Sequence, residues 1–357
     1  MSENKLKHII QIDGLRCFAV LGVLISHFII YYLSNESLKT LPFGSGVNLF
    51  YVISGYLITT ILLNKKQEIE DKTTTLKMEI KNFFAKRVLR IFPLYYIVIL
   101  FILVFNYDEV QSYFLYLVTY TTNIYMTFSN TYIGNNTHLW SLAVEEQFYL
   151  IWPFVIFLIN KKYLLRTILF LILSSLFSKY YFFNCTAYQI GTNAFLTSCF
   201  DSLGMGALLA YLQLYNVTLF EKLLNKKTVL FLIISYIILF LYPSILSDSL
   251  KPVLNNFSTS LIYFFIVGIA AQNKFNGITK YALENKVSLY LGKISYGIYI
   301  IHNFMPEMFY DFFARKLPPT DLHSIKVIYW ISLTIIIASI SWFMIERPIL
   351  KLKKYYL

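Results

Sequence analysis

The sequence is poor in charge. Of its 357 residues only 14% are Asp, Glu, Lys or Arg, against roughly 25% in an ordinary soluble domain. A soluble globule of this size needs a polar surface, and this chain cannot supply one. A soluble enzyme, a disordered chain and a nucleic-acid binder are excluded on that ground. Cysteine is scarce: Cys17, Cys185 and Cys199 stand far apart, which makes neither a disulfide framework nor a metal site. Glycine and proline number only 13 and 9, leaving few broken helices of the kind that transporters build around a substrate. No internal repeat, zinc-ligand spacing, phosphate loop or nucleophile elbow is found.

What the chain has in quantity is apolar surface. Hydrophobic residues make up 57% and aromatics 18%, including 32 Phe and 30 Tyr. A spanning helix needs about 20 mostly apolar residues. The segments 15–33, 47–63, 91–107, 139–159, 164–182, 196–214, 228–246, 257–272, 288–309 and 326–345 meet that need. The fold class implied is all-α: a polytopic helical membrane bundle of about ten transmembrane helices, in one membrane-embedded domain over 1–357. The stretch 112–128 carries five Ser or Thr and one Asn, and reads as a re-entrant or interfacial piece that does not cross.

Charge asymmetry orients the bundle. With the N-terminus in the cytoplasm and 112–128 not spanning, all but six of the 31 Lys and Arg fall on the cytoplasmic side. The six are Lys39, Lys179, Lys251, Arg315, Lys316 and Lys326. This obeys the positive-inside rule and places both termini in the cytoplasm. The net charge of +12 therefore reflects cytoplasmic loops, and no nucleic-acid partner is expected. Residues 1–33 resemble a signal peptide in outline. Arg16 interrupts the apolar stretch and no small-x-small cleavage site follows, so the segment reads as a retained first helix.

An ionisable side chain inside a span costs about 2.5–3.5 kcal/mol on insertion scales, so each is a functional candidate. The first helix holds Asp13, Arg16 and His27. Eleven residues of α-helix turn about 1100°, which puts Arg16 and His27 on one face about 16 Å apart, with Asp13 within about 40° of it. The alternative is a pair of interfacial anchors and a packing histidine. Arg87 and Arg90 share one side of a helical turn before Pro93, a spacing suited to gripping phosphate at a membrane surface. The alternative is a plain positive-inside helix start. A third group, His138, Trp140, Ser141, Glu145, Glu146, Gln147 and Tyr149, opens the span at 139–159. His138 and Glu145 stand seven apart and are expected on one face. Asp201, His302, Glu307 and Glu346 are further inner or boundary polar groups.

Five blocks, in order, resemble the integral-membrane acyltransferase 3 family, whose members O-acylate sugars. They are Ile12-Asp13-Gly14-Leu15-Arg16 running on to His27; Phe50 to Ile58, which holds Ser54-Gly55; Arg87 to Tyr95; His138 to Tyr149 with Trp152-Pro153; and Ile294 to His302 with Glu346-Arg347-Pro348. The resemblance implies a cytoplasmic acyl-CoA donor, with acetyl-CoA the expected one, and a glycan hydroxyl as acceptor. It implies that Arg16 and His27 are required, that Arg87 and Arg90 serve the acyl-CoA, and that Ser54 and Gly55 are structural or line the site. The sequence departs from the family pattern in three places. Tyr51 stands where Phe is usual. Cys199 stands two residues before Asp201 where many members have Arg, which removes that partner for Asp201. Many members add a C-terminal hydrolase-like domain, and the residues after Glu346 are too few to form one.

Acyl transfer from a thioester to a hydroxyl needs neither a metal nor a bound cofactor. It needs a base or an acyl-carrying nucleophile, and charge to hold the CoA phosphates. His27 suits either of the first two tasks, with Asp13 beside Arg16. Arg16, Arg87 and Arg90 suit the phosphates. Glu145 and Glu146 are expected to hold acceptor hydroxyls or orient His27 from the outer side, with Ser54, Gly55, His138, Trp140, Ser141, Tyr149 and His302 in support. The partners implied are acyl-CoA, a polysaccharide or lipid-linked sugar, and the bilayer of the inner, cytoplasmic membrane. The alternatives are a proton-coupled transporter and a non-catalytic protein that handles glycan.

Overall fold

The computed structural model describes residues 8–30, 45–105, 107–225, 247–303 and 323–356, with 228, 230, 234 and 235 besides. It is a bundle of helices, with no strand among the described residues. Helix α1 covers Ile10–Leu24 and runs into a π-helical turn at Ile25–Ile30. Then follow α2 (Gly46–Glu70), α3 (Leu76–Val104), the short α4 (Phe114–Val118) and α5 (Thr122–Ser129), α6 (Leu139–Leu158) and α7 (Lys161–Asn184). The chain goes on to α8 (Phe200–Tyr215), α9 (Lys251–Ala271), α10 (Gly277–Glu284), α11 (Lys286–Ile301) and α12 (His323–Ser341). A second π-helical turn at Trp342–Glu346 and a 3-10 turn at Lys351–Tyr356 close it.

Among the described residues seven helical stretches are long and apolar enough to cross a membrane. They include α2, α3, α7 and α9 and the continuous helical stretches containing α1, α6 and α12. Their outer faces carry large apolar side chains such as Leu100, Leu150, Phe170, Leu173 and Phe177 in exposed positions. Such a surface is stable only against lipid. The chain is a polytopic helical membrane protein. Two expected spans come out shorter. Helices α8 and α11 have 16 residues each, about 24 Å, against a hydrocarbon core of about 30 Å. A 3-10 turn at Leu196–Cys199 extends α8, and α11 ends at Ile301 in a turn over His302 and Asn303. The expected span 228–246 lies almost wholly outside the described residues, as do Lys39, Glu307, Arg315 and Lys316.

The stretch 112–128 does not form one long helix. It is divided between α4 and α5, of five and eight residues. The Tyr95 and Tyr96 hydroxyls donate to the carbonyls of Leu117 (2.8 Å) and Val118 (3.0 Å). Gln147 donates to Tyr120 O and Asn123 Oδ1, both at 2.8 Å. These side chains satisfy backbone and amide groups that lipid could not.

Helix ends are secured locally. Thr75, Asn160 and Asn285 accept backbone N–H bonds at the starts of α3, α7 and α11, which fills donors that a helix leaves unpaired. The Lys66 ammonium donates to Ile156 O (2.9 Å) and Ile159 O (2.5 Å), closing the C-terminus of α6. Lys65, Lys66, Lys161 and the α2–α3 hairpin mark one end of the bundle, called the basic end below. The most extensive helix pairing is α2 with α8. There Gly55 meets the carbonyl of Leu203 and Gly206 meets the carbonyl of Val52, so that a Cβ at either would collide with backbone. Small residues permit this approach, as in other membrane helix pairs. Gly55 is thus a packing residue.

Two apolar clusters result. One centres on α2, α7 and α8, the other on α3, α6, α11, α12 and the far end of α1. Phe50, Phe92, Trp140 and Tyr296 pack against both. The polar groups of interest collect along that seam.

Candidate active site

A cavity of about 250 Å³ opens at the seam. Its cations come from three separate parts of the chain: Arg16 on α1, Arg87 and Arg90 on α3, and Lys353 on the final 3-10 turn. Its other polar walls are Ser54 and Tyr51 of α2, Ser141, Glu145 and Tyr149 of α6, and Ser295, Tyr296 and Tyr299 of α11. The Arg87 guanidinium lies over the rings of Phe83 (5.7 Å) and Tyr149 (5.5 Å), which hold it without neutralising it. Arg16 Nη1 donates to Asp13 Oδ1 at 3.0 Å. Asp13 does not line the cavity; it braces Arg16 from the preceding turn and also meets His8 Nε2 at 2.5 Å. The Ser54 hydroxyl donates to Glu145 Oε1 at 2.7 Å. The wall thus carries four cations and one carboxylate, with Asp13 behind it pairing Arg16, so a positive surplus remains. A half-buried surplus of positive charge is costly until an anion enters.

His27 is not part of this cavity's wall. Its ring packs edge-on against His302 (centroids 5.0 Å, 78°), and His302 packs in turn on His138 (4.7 Å, 68°). Among the described residues no such group could hold a metal ion. The His302 Nδ1 lies 2.7 Å from Tyr299 O. That carbonyl can only accept, which fixes Nδ1 as the donor in His302 and leaves Nε2 with a lone pair. Nε2 is buried with no partner, on a ring that faces His27. The side chain of Asn303 is the hydrogen-bond partner of the His27 ring, and Asn303 Nδ2 donates to Asn135 O at 2.6 Å.

Tyr299 stands between the cavity and the histidines. It lines the cavity, its hydroxyl donates to His138 O at 2.9 Å and bonds the Ser141 hydroxyl, and its ring lies 5.5 Å from that of His302.

The structure places these candidates as follows. First, Arg16 lines the cation cavity and His27 does not, in line with the offset of about 16 Å between them along the helix. The π-helical turn begins at Ile25, only two residues before His27, and shifts their common phase by no more than a few tens of degrees. Second, His138 and Glu145, seven residues apart, have different neighbours. His138 precedes α6 with Nδ1 against Asn135 O and Nε2 against Ile300 O, each at 3.0 Å, which pins α6 to α11, whereas Glu145 faces the cations. Third, Glu145 and Glu146 line different cavities. Glu146 lines a separate cavity of about 180 Å³ with Gln147, Tyr120 and Arg87. Neither carboxylate orients His27.

The expected loss of Asp201's partner is made good from another helix. Lys179 of α7 forms an ion pair with Asp201, and both are buried. The Asp201 carboxylate also accepts from Ser202 N (2.8 Å) and Ser260 Oγ (3.2 Å). Lys353 escaped the sequence reading altogether. A lone Lys in a basic tail carries no local signal, and only the fold brings it to Arg90.

Comparison with known proteins shows the family. A family model described as an acyltransferase domain, that of the acyltransferase 3 group, matches residues 9–346. The chain belongs to the acyltransferase 3 family. It is similar to the O-acetyltransferase OatA of Staphylococcus aureus (strain NCTC 8325 / PS 47), at 29% identity over 95% of this chain and 57% of that protein. It is similar also to the peptidoglycan O-acetyltransferase OatA of Listeria monocytogenes serovar 1/2a, at 27% identity over 97% of this chain and 56% of that protein. It therefore spans a little over half the length of these relatives. No solved structure matches it. Within the acyltransferase 3 match Arg16, Arg87 and Arg90 converge on one cavity. Lys353 lies seven residues past the matched region.

Proposed function

We propose that this acyltransferase 3 member is a multi-pass O-acetyltransferase of the cytoplasmic membrane. It takes an acetyl group from acetyl-CoA on the cytoplasmic side and passes it to a glycan hydroxyl. The observation that carries the reading is the surplus of cations in the 250 Å³ cavity. Acyl-CoA brings a pyrophosphate and a ribose phosphate on one end and a slender neutral thioester arm on the other. Arg16, Arg87, Arg90 and Lys353 supply charge for the first, with bidentate donors from each guanidinium. The narrowing wall of Phe50, Tyr51 and Tyr299 suits the second. The positive-inside rule puts the basic end in the cytoplasm, with both termini there and about ten spans in all. The names of the relatives support an acetyl group and a peptidoglycan-type acceptor.

In the reaction the acceptor oxygen attacks the thioester carbonyl carbon. A C–O bond forms, the C–S bond breaks, and the CoA sulfur leaves. His27 takes the hydroxyl proton as general base and returns it to the thiolate. Tyr299 and Ser141 lie where the acyl group would pass from the cation cavity toward the histidines.

The test uses the full chain in nanodiscs with radiolabelled acetyl-CoA. Arg87→Ala loses a charge-assisted contact of about 1.5–3 kcal/mol, so the KM for acetyl-CoA is expected to rise about 10- to 150-fold. Arg87→Lys keeps the charge but not the fork, and is expected to fall between. A change confined to the acceptor KM overturns the assignment. Lys353→Ala is expected to raise the same KM by about threefold to tenfold, since a lysine on a terminal turn loses more to solvent screening. Equal KM values for Lys353→Ala and the parent chain remove Lys353 from the donor site.

A further inference from the structure

A second polar cavity, of about 260 Å³, lies at the end of the bundle opposite the basic end. It is framed by the starts of α2, α6, α8 and α9 and the far end of α7. Its wall includes Asn48, Trp140, Lys179, Asn193, Asp201 and Asn256. We propose that it is the acceptor subsite and that it takes one uncharged sugar ring of a glycan. The proposal rests on the acyl-transfer reading for its purpose, but not for its test.

Four observations carry it. The first is charge. Lys179 and Asp201 pair with each other, so this cavity is neutral overall where the first is cationic. A neutral, hydroxyl-rich ligand suits it and a phosphate does not. The second is donor and acceptor chemistry. Asn48, Asn193 and Asn256 each present an N–H₂ donor beside a C=O acceptor, the alternation that ring hydroxyls require. Asn256 Nδ2 already donates to Asn193 Oδ1 at 2.9 Å, an exposed bond that a sugar hydroxyl can enter. The third is the Trp140 indole, a flat apolar surface for the C–H face of a pyranose. At ~30 Å³ per water the volume equals roughly nine waters, the scale of one sugar ring.

The fourth is position. Val47 and Tyr51 line both cavities. A sugar hydroxyl on one side and an acyl group on the other are therefore separated by one layer of side chains. Tyr51 is held in that partition by its hydroxyl, which donates to Ser141 O at 3.1 Å, and by its edge-on contact with Trp140 at 6.5 Å. The Tyr51 hydroxyl thus ties the partition to α6.

The experiment is calorimetric titration of chitotetraose into the full chain in nanodiscs, without acyl-CoA. The parent chain is expected to bind. Asn193→Ala and Asn256→Ala are each expected to bind about tenfold more weakly, the scale of one or two lost hydrogen bonds. Their KM for acetyl-CoA is expected to stay within about twofold, because neither residue lines the cation cavity. Thermal melting checks that both variants remain folded, as substitutions at this half-exposed rim should. Absence of binding by the parent chain, or equal affinity in parent and both variants, overturns the proposal. Binding that weakens in the variants, by a chain that turns over no acetyl-CoA, supports the sugar site and overturns the donor reading instead.

Discussion

Replacing His27 by Ala is expected to lower kcat for acetyl transfer by about 10²- to 10⁴-fold, the usual contribution of a positioned general base. The KM for acetyl-CoA should stay unchanged. That second half of the expectation comes from the geometry. His27 sits against His302 and Asn303, on the far side of Tyr299 from the four cations. A loss confined to kcat is the mark of a group that acts in the transition state alone. His302 is a positioning residue in this scheme. Its Nδ1 is committed to Tyr299 O, so its free Nε2 lone pair is available to fix the His27 ring. His302→Gln, which retains an acceptor, should therefore lose less kcat than His302→Ala. Single-turnover assays with radiolabelled acetyl-CoA separate these cases from slow product release. Full activity in both His27→Ala and His27→Gln would remove His27 from the mechanism. The base to test next would be Glu145, the one carboxylate among the cations, through Glu145→Gln.

Lys179→Ala is expected to destabilise the protein by about 3–5 kcal/mol, because it leaves the buried Asp201 carboxylate without its counter-charge. Both partners are almost fully enclosed, with side chains 4% and 1% exposed. Hydrogen bonds from Ser202 and Ser260 remain, but neutral donors do not replace a cation in a low-dielectric site. Replacing both partners, as Lys179→Met with Asp201→Asn, should recover most of the loss, since no unpaired charge is left. Thermal melts of the single and double variants in one detergent check this. A double variant as unstable as Lys179→Ala would show that the ion pair itself is not what holds α7 to α8.

These two sites differ in how far the sequence revealed them. His27 stood out because a histidine in an apolar run is costly, and the five family blocks named it. Its surroundings were hidden, because they come from His302 and Asn303, far along the chain, which no single-helix wheel can show. Arg87 and Arg90 were legible in full: an i,i+3 pair keeps its common face in any regular helix. Glu145 and Glu146 held a signal that went unused. Adjacent residues on a helix point about 100° apart, so only one of them could face a given cavity. The Lys179–Asp201 pair was not legible, because it joins two helices, and the sequence pattern pointed instead to a missing partner at position 199. Lys353 was not legible either, being one of several lysines in a short tail.

The sequence by itself determined that this chain is a polytopic helical membrane bundle, and which residues are too polar to be in lipid by accident. Those conclusions rest on transfer free energies, which add residue by residue and need no knowledge of neighbours. Only the tertiary structure decided which of those polar residues meet. It put Arg16, Arg87, Arg90 and Lys353 in one cavity, His27 with His138 and His302 in another group, and Lys179 against Asp201. Such meetings depend on how closely helices pack at Gly55 and Gly206, and on where the chain's last turn folds back. None of these is a property of any single segment.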